Sequence, residues 1–322
     1  MAFQSYCQGW PPWFLLQSEI QVLSHHYKET LQGLLKLYPA TPDPVVFFLG
    51  GSLPAQALLH MRQLTLFIMI TQLPDNILNR IARHILTTAP DSSQSWFIII
   101  RNICFQYFLP HPLLLLQYPP KMDSFKETAK LKIKDFWRKK LTEEASLLSS
   151  LRYFKPQFMS LDKPHPIWTS CSGNVYEVQK AVIQSRMLSG RYRDDRLARH
   201  FTSNTSGCCL LCQNSNVPHP PIGDLTHFLL HCPSLHSRRL LLASYWLAQS
   251  ENNLIVRNML VDFQNKPDEY KLQFLLDCST LPNIIEAQQK LGDDVIIMLF
   301  KVTRTFCFSV HRDKLKMLEQ WS

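Results

Sequence analysis

Glycine is scarce in this chain. Nine glycines among 322 residues, against 21 prolines, argue against a turn-rich β sandwich and for helices with abrupt stops. Long apolar runs are lacking too. The most apolar stretch, "WFIIIRNICFQYFLPHPLLLLQY" from Trp96 to Tyr118, is interrupted by Arg101, Asn102, Pro110 and Pro112. Nothing reaches the roughly 20 apolar residues of a spanning helix, so no membrane partner is expected. The opening residues show no basic region, apolar core or small-residue cleavage site of the kind that marks a secretory signal. Five of the nine cysteines (Cys7, Cys104, Cys171, Cys278 and Cys307) stand alone, too scattered for a disulfide framework. A reducing compartment is the expectation.

Familiar catalytic patterns are also missing. There is no G-x-S-x-G, no H-E-x-x-H and no GxxxxGK[ST]. "FFLGGSLP" has no lysine after its glycines, and Pro54 removes an N–H that a phosphate loop could use, so Gly50 and Gly51 read as a turn.

What is present reads as helix. At 46% hydrophobic and 18% charged, the chain can bury a sizeable core. "SEIQVLSHHYKETLQGLLKLYP" opens on a capping-box pattern and carries a helical apolar stripe that ends at Pro39. A short apolar run precedes the Gly50-Gly51-Ser52 turn. A helix then continues to Leu73, with Ala57, Met61, Leu64 and Ile68 as its expected buried face. Further helices are expected at 75–88, 94–108, 123–151, 174–200, 225–249, 268–290 and 293–318, with a proline-rich connector at 154–174. The expected fold is mainly α: helical lobes with a small Cys/His zinc-knuckle-like insertion. Four segments follow: a helical region at 1–118, a basic region at 119–200, the cysteine segment at 201–240, and a C-terminal helical segment at 241–322.

The formal charge of +9 is concentrated. Residues 120–200 hold 17 Lys/Arg against 9 Asp/Glu, whereas 1–119 hold 6 against 5 and 201–322 hold 11 against 11. Along 123–151, Lys126, Lys130, Lys132, Lys134, Arg138, Lys139 and Lys140 interleave with apolar residues. A second basic stretch, 176–201, offers Lys180, Arg186, Arg191, Arg193, Arg196 and Arg199. Cations at this density can neutralise nucleic-acid phosphates. The plainer reading of either helix alone is a solvated outer face.

Directly downstream, "GCCLLCQNSNVPHPPIGDLTHFLLHC" (207–232) holds four cysteines. Cys209 and Cys212 form C-x2-C, fourteen residues precede His227, and four separate His227 from Cys232. Three thiolates and one imidazole suit one closed, four-coordinate structural zinc, with no position open for catalysis. Cys208 could replace Cys209 by one residue of slippage. The alternative for all of these cysteines is that they are small buried hydrophobes.

"THFLLHCPSL" after C-x2-C resembles the C-terminal cysteine–histidine region of non-LTR (LINE-type) retrotransposon reverse transcriptases. "LGGSLPAQALLHMRQLTLF", "SWFIIIRNICFQY", "YFKPQFMSLDKPHPIW" and "YEVQKAVIQSRMLSGRYRDDRLARHF" resemble the region after the polymerase domain in those elements, so the likeness covers essentially the whole chain. It implies a helical thumb and extension followed by a zinc knuckle that helps grip RNA and DNA. Cys209, Cys212, His227 and Cys232 would be the ligands. The basic helices would be the backbone contacts, a full-length reverse transcriptase in trans a further partner, and the nucleus or cytoplasm the location. Two departures are visible: the doubled Cys208-Cys209 and a long spacer.

The one [YF]-x-D-D match, Tyr192-Arg193-Asp194-Asp195, falls inside an expected helix rather than on a strand–turn pattern, so no polymerase activity is expected; the chain reads as a truncated frame without the palm. Asp268 and Asp277 superficially suit a PD…D-x-K nuclease, but the lysine is missing, and no enzyme is expected. The competing reading is a helical interaction module without nucleic-acid binding, with "GWPPWFLL" (9–16) as a candidate apolar face.

Overall fold

The computed structural model describes residues 17–73, 76–192, 195, 207–215, 217–250 and 254–319. The protein is mainly α-helical. Among the described residues there is no β-strand, and one isolated antiparallel bridge joins Cys208 to Ile222. No single described helix is long and apolar enough to cross a membrane. The structure divides into two compact units that interleave along the chain, with boundaries that fall inside the expected segments 1–118 and 119–200. Residues up to Gly33 and Ser52–Glu144 form one; Leu34–Gly51 and Ala145–Ser322 form the other.

The first unit contains helices Ala55–Thr71, Ile77–Thr88, Trp96–Gln106 and Pro112–Gln117, with most of Gln17–Leu34 and Met122–Ser146. Local chemistry sets their starts. The Asn76 side chain accepts from the Leu78 N–H, and the His111 ring accepts from the Leu113 N–H with Pro112 at the first helical position. Ala57, Leu64, Phe67 and Ile68 bury one face of Ala55–Thr71 against Ile98, Ile100 and Ile103; Met61 is half-buried. On Met122–Ser146, Phe125, Ala129, Ile133, Trp137, Leu141 and Ala145 are buried at every fourth position, leaving the charged positions outside. A polar thread crosses this core. The Tyr107 hydroxyl hydrogen-bonds Nδ1 of His60 over 2.8 Å and accepts from Nε1 of Trp137 over 3.1 Å. Burial lowers the His60 pKa to about 4, so the ring is uncharged at neutral pH.

In the second unit the 26-residue helix Asp294–Glu319 packs on Val175–Leu188, Asp268–Asp277, Pro282–Leu291 and His236–Ser250. Val295, Leu299, Phe300, Phe306 and Val310 are buried along it. Arg304, 1% exposed, is held inside through its Nη atoms by the Ser170 hydroxyl (2.6 Å), the Ser170 carbonyl (3.1 Å) and the Glu177 carboxylate (2.9 Å).

Several expectations are corrected here. The apolar run before Gly50-Gly51 is itself a helix, Asp43–Gly50, with Val45, Val46, Phe48 and Leu49 buried on all sides. Its turn does form. Gly51 ends the helix at φ 58°, and a Cβ there would lie 2.1 Å from the Lys163 carbonyl carbon. The helix expected over 174–200 ends at Leu188, after which Gly190 turns at φ 64° against the Ser150 carbonyl. The 268–290 helix is broken at 278–281, where the Asp277 carboxylate accepts from the Ser279 N–H and hydroxyl. The 123–151 helix stops at Ser146, and an additional helix spans Leu254–Asn265.

Candidate metal centre

The cysteine segment folds as a tight loop against a distorted helix. Gly207, at φ 76°, starts the loop. Its carbonyl accepts from the Gly223 N–H at 2.9 Å, and the Cys209 N–H donates to the Pro221 carbonyl at 2.8 Å. This pairing fixes Cys209 at the N-cap of the short helix Leu210–Asn214, which carries Cys212. Gly223 must lack a side chain, since a Cβ would stand 2.6 Å from the Asp195 Cβ and 3.0 Å from the Cys209 Cα.

The second pair of candidate ligands comes from the segment expected as one helix over 225–249. It is instead a π-helical turn, His227–His231, then a 3-10 turn, Pro233–Leu235, then the helix His236–Ser250. The π turn has a use. Its i→i+5 bond, from the Cys232 N–H to the His227 carbonyl at 2.7 Å, brings residues five apart to one side, where an α-helix would place them about 140° apart. Asp224 starts the turn by accepting from the His227 N–H at 2.8 Å. Pro233 ends it.

Cys209, Cys212, His227 and Cys232 thereby form one buried group that could hold a metal ion, with all four ligand atoms within 4.8 Å of one another. The Sγ atoms of Cys209 and Cys212 each lie 3.9 Å from that of Cys232, and Cys212 Sγ lies 3.3 Å from His227 Nε2. Around a tetrahedral zinc with ordinary bond lengths these edges would be about 3.8 Å for S···S and about 3.6 Å for S···N. A disulfide needs about 2.0 Å. The donor set and spacing therefore fit a four-coordinate thiophilic ion. Cys208, in the bridge with Ile222, is outside the group.

The thiols are electrostatically coupled. The hydrogen bond with Cys232, together with burial, pushes the Cys209 thiol up to about 12, and burial pushes Cys212 up to about 11. Donation from Cys209 lowers Cys232. Metal binding must displace the protons these values describe.

The supports of the group come from distant parts of the second unit. The Asp195 carboxylate accepts from the Leu210 N–H at 3.0 Å and pairs with the Lys314 ammonium at 2.7 Å. Arg239 Nη2 donates to the Cys232 carbonyl at 2.7 Å. Phe228 stacks on Tyr192, with ring centroids 5.8 Å apart. The Asp224 cap had a sequence signal, an aspartate three residues before a candidate ligand. Asp195 and Lys314, 119 residues apart, had none.

The expected nucleic-acid contacts are placed as follows. Lys130, Arg138, Lys139 and Lys140 are exposed on Met122–Ser146, and Lys134 is half-buried. Lys140 lies over the Trp137 ring, 4.6 Å from its centroid. Arg191 is exposed. Arg186 donates from Nε and Nη2 to the Lys36 carbonyl at 2.9 and 2.7 Å, a structural engagement within its own unit. Lys180 is buried, bonded to Glu177 at 2.7 Å. Arg193, Arg196 and Arg199 lie outside the described residues, as does 9–16.

Asp268 and Asp277 are not brought together. They sit at opposite ends of one ten-residue helix, about 14 Å apart along its axis. Asp268 pairs with His231 at 2.6 Å, and the buried Asp277 faces His165 at 3.3 Å.

Comparison with protein-family models, curated proteins and solved structures finds no match to this chain.

Proposed function

We propose that the chain is a non-catalytic, nucleic-acid-binding helical region of the kind that follows the polymerase domain in non-LTR retrotransposon reverse transcriptases, stabilised by one structural zinc. The observation that carries this reading is the buried Cys209, Cys212, His227 and Cys232 group, three of whose separations, 3.9, 3.9 and 3.3 Å, lie close to the edges of a zinc tetrahedron. Four protein ligands would leave no open coordination position, so the metal would hold the loop rather than activate water. The nucleic-acid part draws on the cations of Met122–Ser146, where Lys126, Lys130, Arg138, Lys139 and Lys140 are exposed. A second reading, a helical interaction module, draws on exposed apolar side chains of the first unit, among them Met69 at 54%, Leu73 at 50% and Ile77 at 67%.

The test pairs metal analysis with binding. Wild-type protein purified without chelator should carry one zinc per chain, and Cys212→Ser and His227→Ala should each lose it. The wild type should bind RNA or DNA at low ionic strength, with affinity falling as salt rises, and Lys139→Ala/Lys140→Ala should bind more weakly. Well-folded wild type without metal would end the zinc reading, and the absence of binding at low salt would leave the interaction module in its place.

A further inference from the structure

We infer that Phe108 and Phe105, with Lys132 beside them, form a stacking platform for single-stranded nucleic acid. This inference rests on the nucleic-acid reading above and names the form of ligand. It starts from a conflict in the backbone. The helix Trp96–Gln106 ends in a 6→1 hydrogen bond from the Leu109 N–H to the Cys104 carbonyl at 2.8 Å, and the residue in the left-handed position of that turn is Phe108, at φ 53°. Glycine is the usual occupant, because a Cβ is strained there. A large side chain could offset the strain by burial, yet Phe108 is 82% exposed. The ring therefore meets two costs, strain and water, with no packing in return.

The comparison with Lys36 sharpens the point. Lys36 is also left-handed, at φ 51°, and its carbonyl is likewise clasped by a cation, Arg186. Lys36, however, presents to solvent a side chain suited to it. At Phe108 the clasp is the Lys132 ammonium, which donates to the Phe108 carbonyl and fixes the turn with the ring outward. Phe105, one turn earlier, is 64% exposed, and its ring meets the His111 ring edge-on with centroids 5.9 Å apart. Burial and the neighbouring Arg101 lower the His111 pKa, which favours an uncharged ring beside the platform.

Two exposed aromatic faces next to cations are what a flexible strand with splayed bases can use: bases stack on the rings and phosphates lie along the charges. The cations continue along the helix. Lys139 lies seven residues from Lys132, on the same side of Met122–Ser146 about 10 Å further along, with Lys140 beside it. A duplex keeps its bases stacked internally and offers no free π-face, so the platform discriminates between strand forms. An apolar protein partner would have no use for the lysine track.

The glycine variant separates the explanations because it removes ring and strain together. Full-length wild type, Phe108→Gly, Phe108→Trp and Lys139→Ala/Lys140→Ala are titrated by fluorescence anisotropy with labelled oligo-dT, oligo-U and a DNA duplex of the same length. Thermal unfolding is followed in parallel. The expected result is that Phe108→Gly melts higher than wild type yet binds single strands about tenfold more weakly, with duplex affinity unchanged. Phe108→Trp should retain single-strand binding, and the lysine variant should weaken both forms. Equal single-strand affinity of wild type and Phe108→Gly overturns the platform while leaving the nucleic-acid reading intact. Failure of the wild type to bind any oligonucleotide overturns that reading, and the platform with it. A wild type that self-associates through Phe108, with unchanged single-strand affinity in Phe108→Gly, would make this a protein-docking face and likewise overturn the inference.

Discussion

Asp195 and Lys314 form an ion pair of 2.7 Å in which both side chains are less than a tenth exposed, and it fastens the cysteine loop to the C-terminal helix. Because Asp195 also accepts from the Leu210 N–H, one carboxylate serves both the ion pair and the start of the helix that carries Cys212. Removing one partner of a buried pair strands the other charge. Lys314→Met is therefore expected to cost about 3–5 kcal/mol in urea denaturation, and the double variant with Asp195→Asn to recover part of the loss. An exposed pair such as Glu286–Lys290, each 64% exposed, should show no comparable effect on the same assay. A small loss in Lys314→Met would mean that water reaches the pair.

Zinc binding should release protons. With Cys209 raised to about 12 and Cys212 to about 11, both thiols are protonated at neutral pH without metal. Ligation requires thiolates, so at least two protons should leave per ion. Calorimetric titration of metal-free protein with zinc, in buffers of differing ionisation enthalpy, measures that number directly. Affinity should fall as pH is lowered. Binding without proton release would show that the ion is held elsewhere.

His60 makes the first unit acid-sensitive. Its ring has a folded pKa of about 4 against 6.5 for an ordinary histidine, so between these values the unfolded chain binds the extra proton. The stability from this site is complete above pH 6.5 and is lost as pH falls towards 4, by about 3 kcal/mol in all. His60→Gln keeps an acceptor for Tyr107 but does not titrate. Its stability should change less steeply over that interval when the two proteins are compared by chemical denaturation. Parallel pH profiles would remove His60 as the cause.

The four candidate ligands were legible in the sequence because metal chemistry imposes local spacing: C-x2-C brings two sulfurs together within one turn. The choice between Cys208 and Cys209 was not legible, since it depends on the pairing of Cys208 with Ile222 across the loop. Nor was the π turn, because five-residue spacing looks unfavourable on an ordinary helix. Asp43–Gly50 was not legible as a helix for a different reason. A helix buried all round has no polar face, so its apolar residues carry no period that separates helix from strand. The break at Asp277 was hidden by apolar residues that continue on both sides of it. What the sequence did expose well was the stripe on Met122–Ser146, where one face is buried and the others are charged.

The interleaving of the two units has a consequence for how the chain can be cut and made. Residues 34–51 belong to one unit while the residues on both sides of them belong to the other, so no single cleavage yields either unit whole. A fragment beginning at Ala145 would lack Val45, Val46, Phe48 and Leu49, all fully buried in the second unit. During synthesis the same segment emerges long before the residues that cover it. It must wait, apolar on every side, at least until residues 154–165 have been made, where Phe154 meets the Phe48 ring edge-on and the His165 N–H donates to the Leu49 carbonyl.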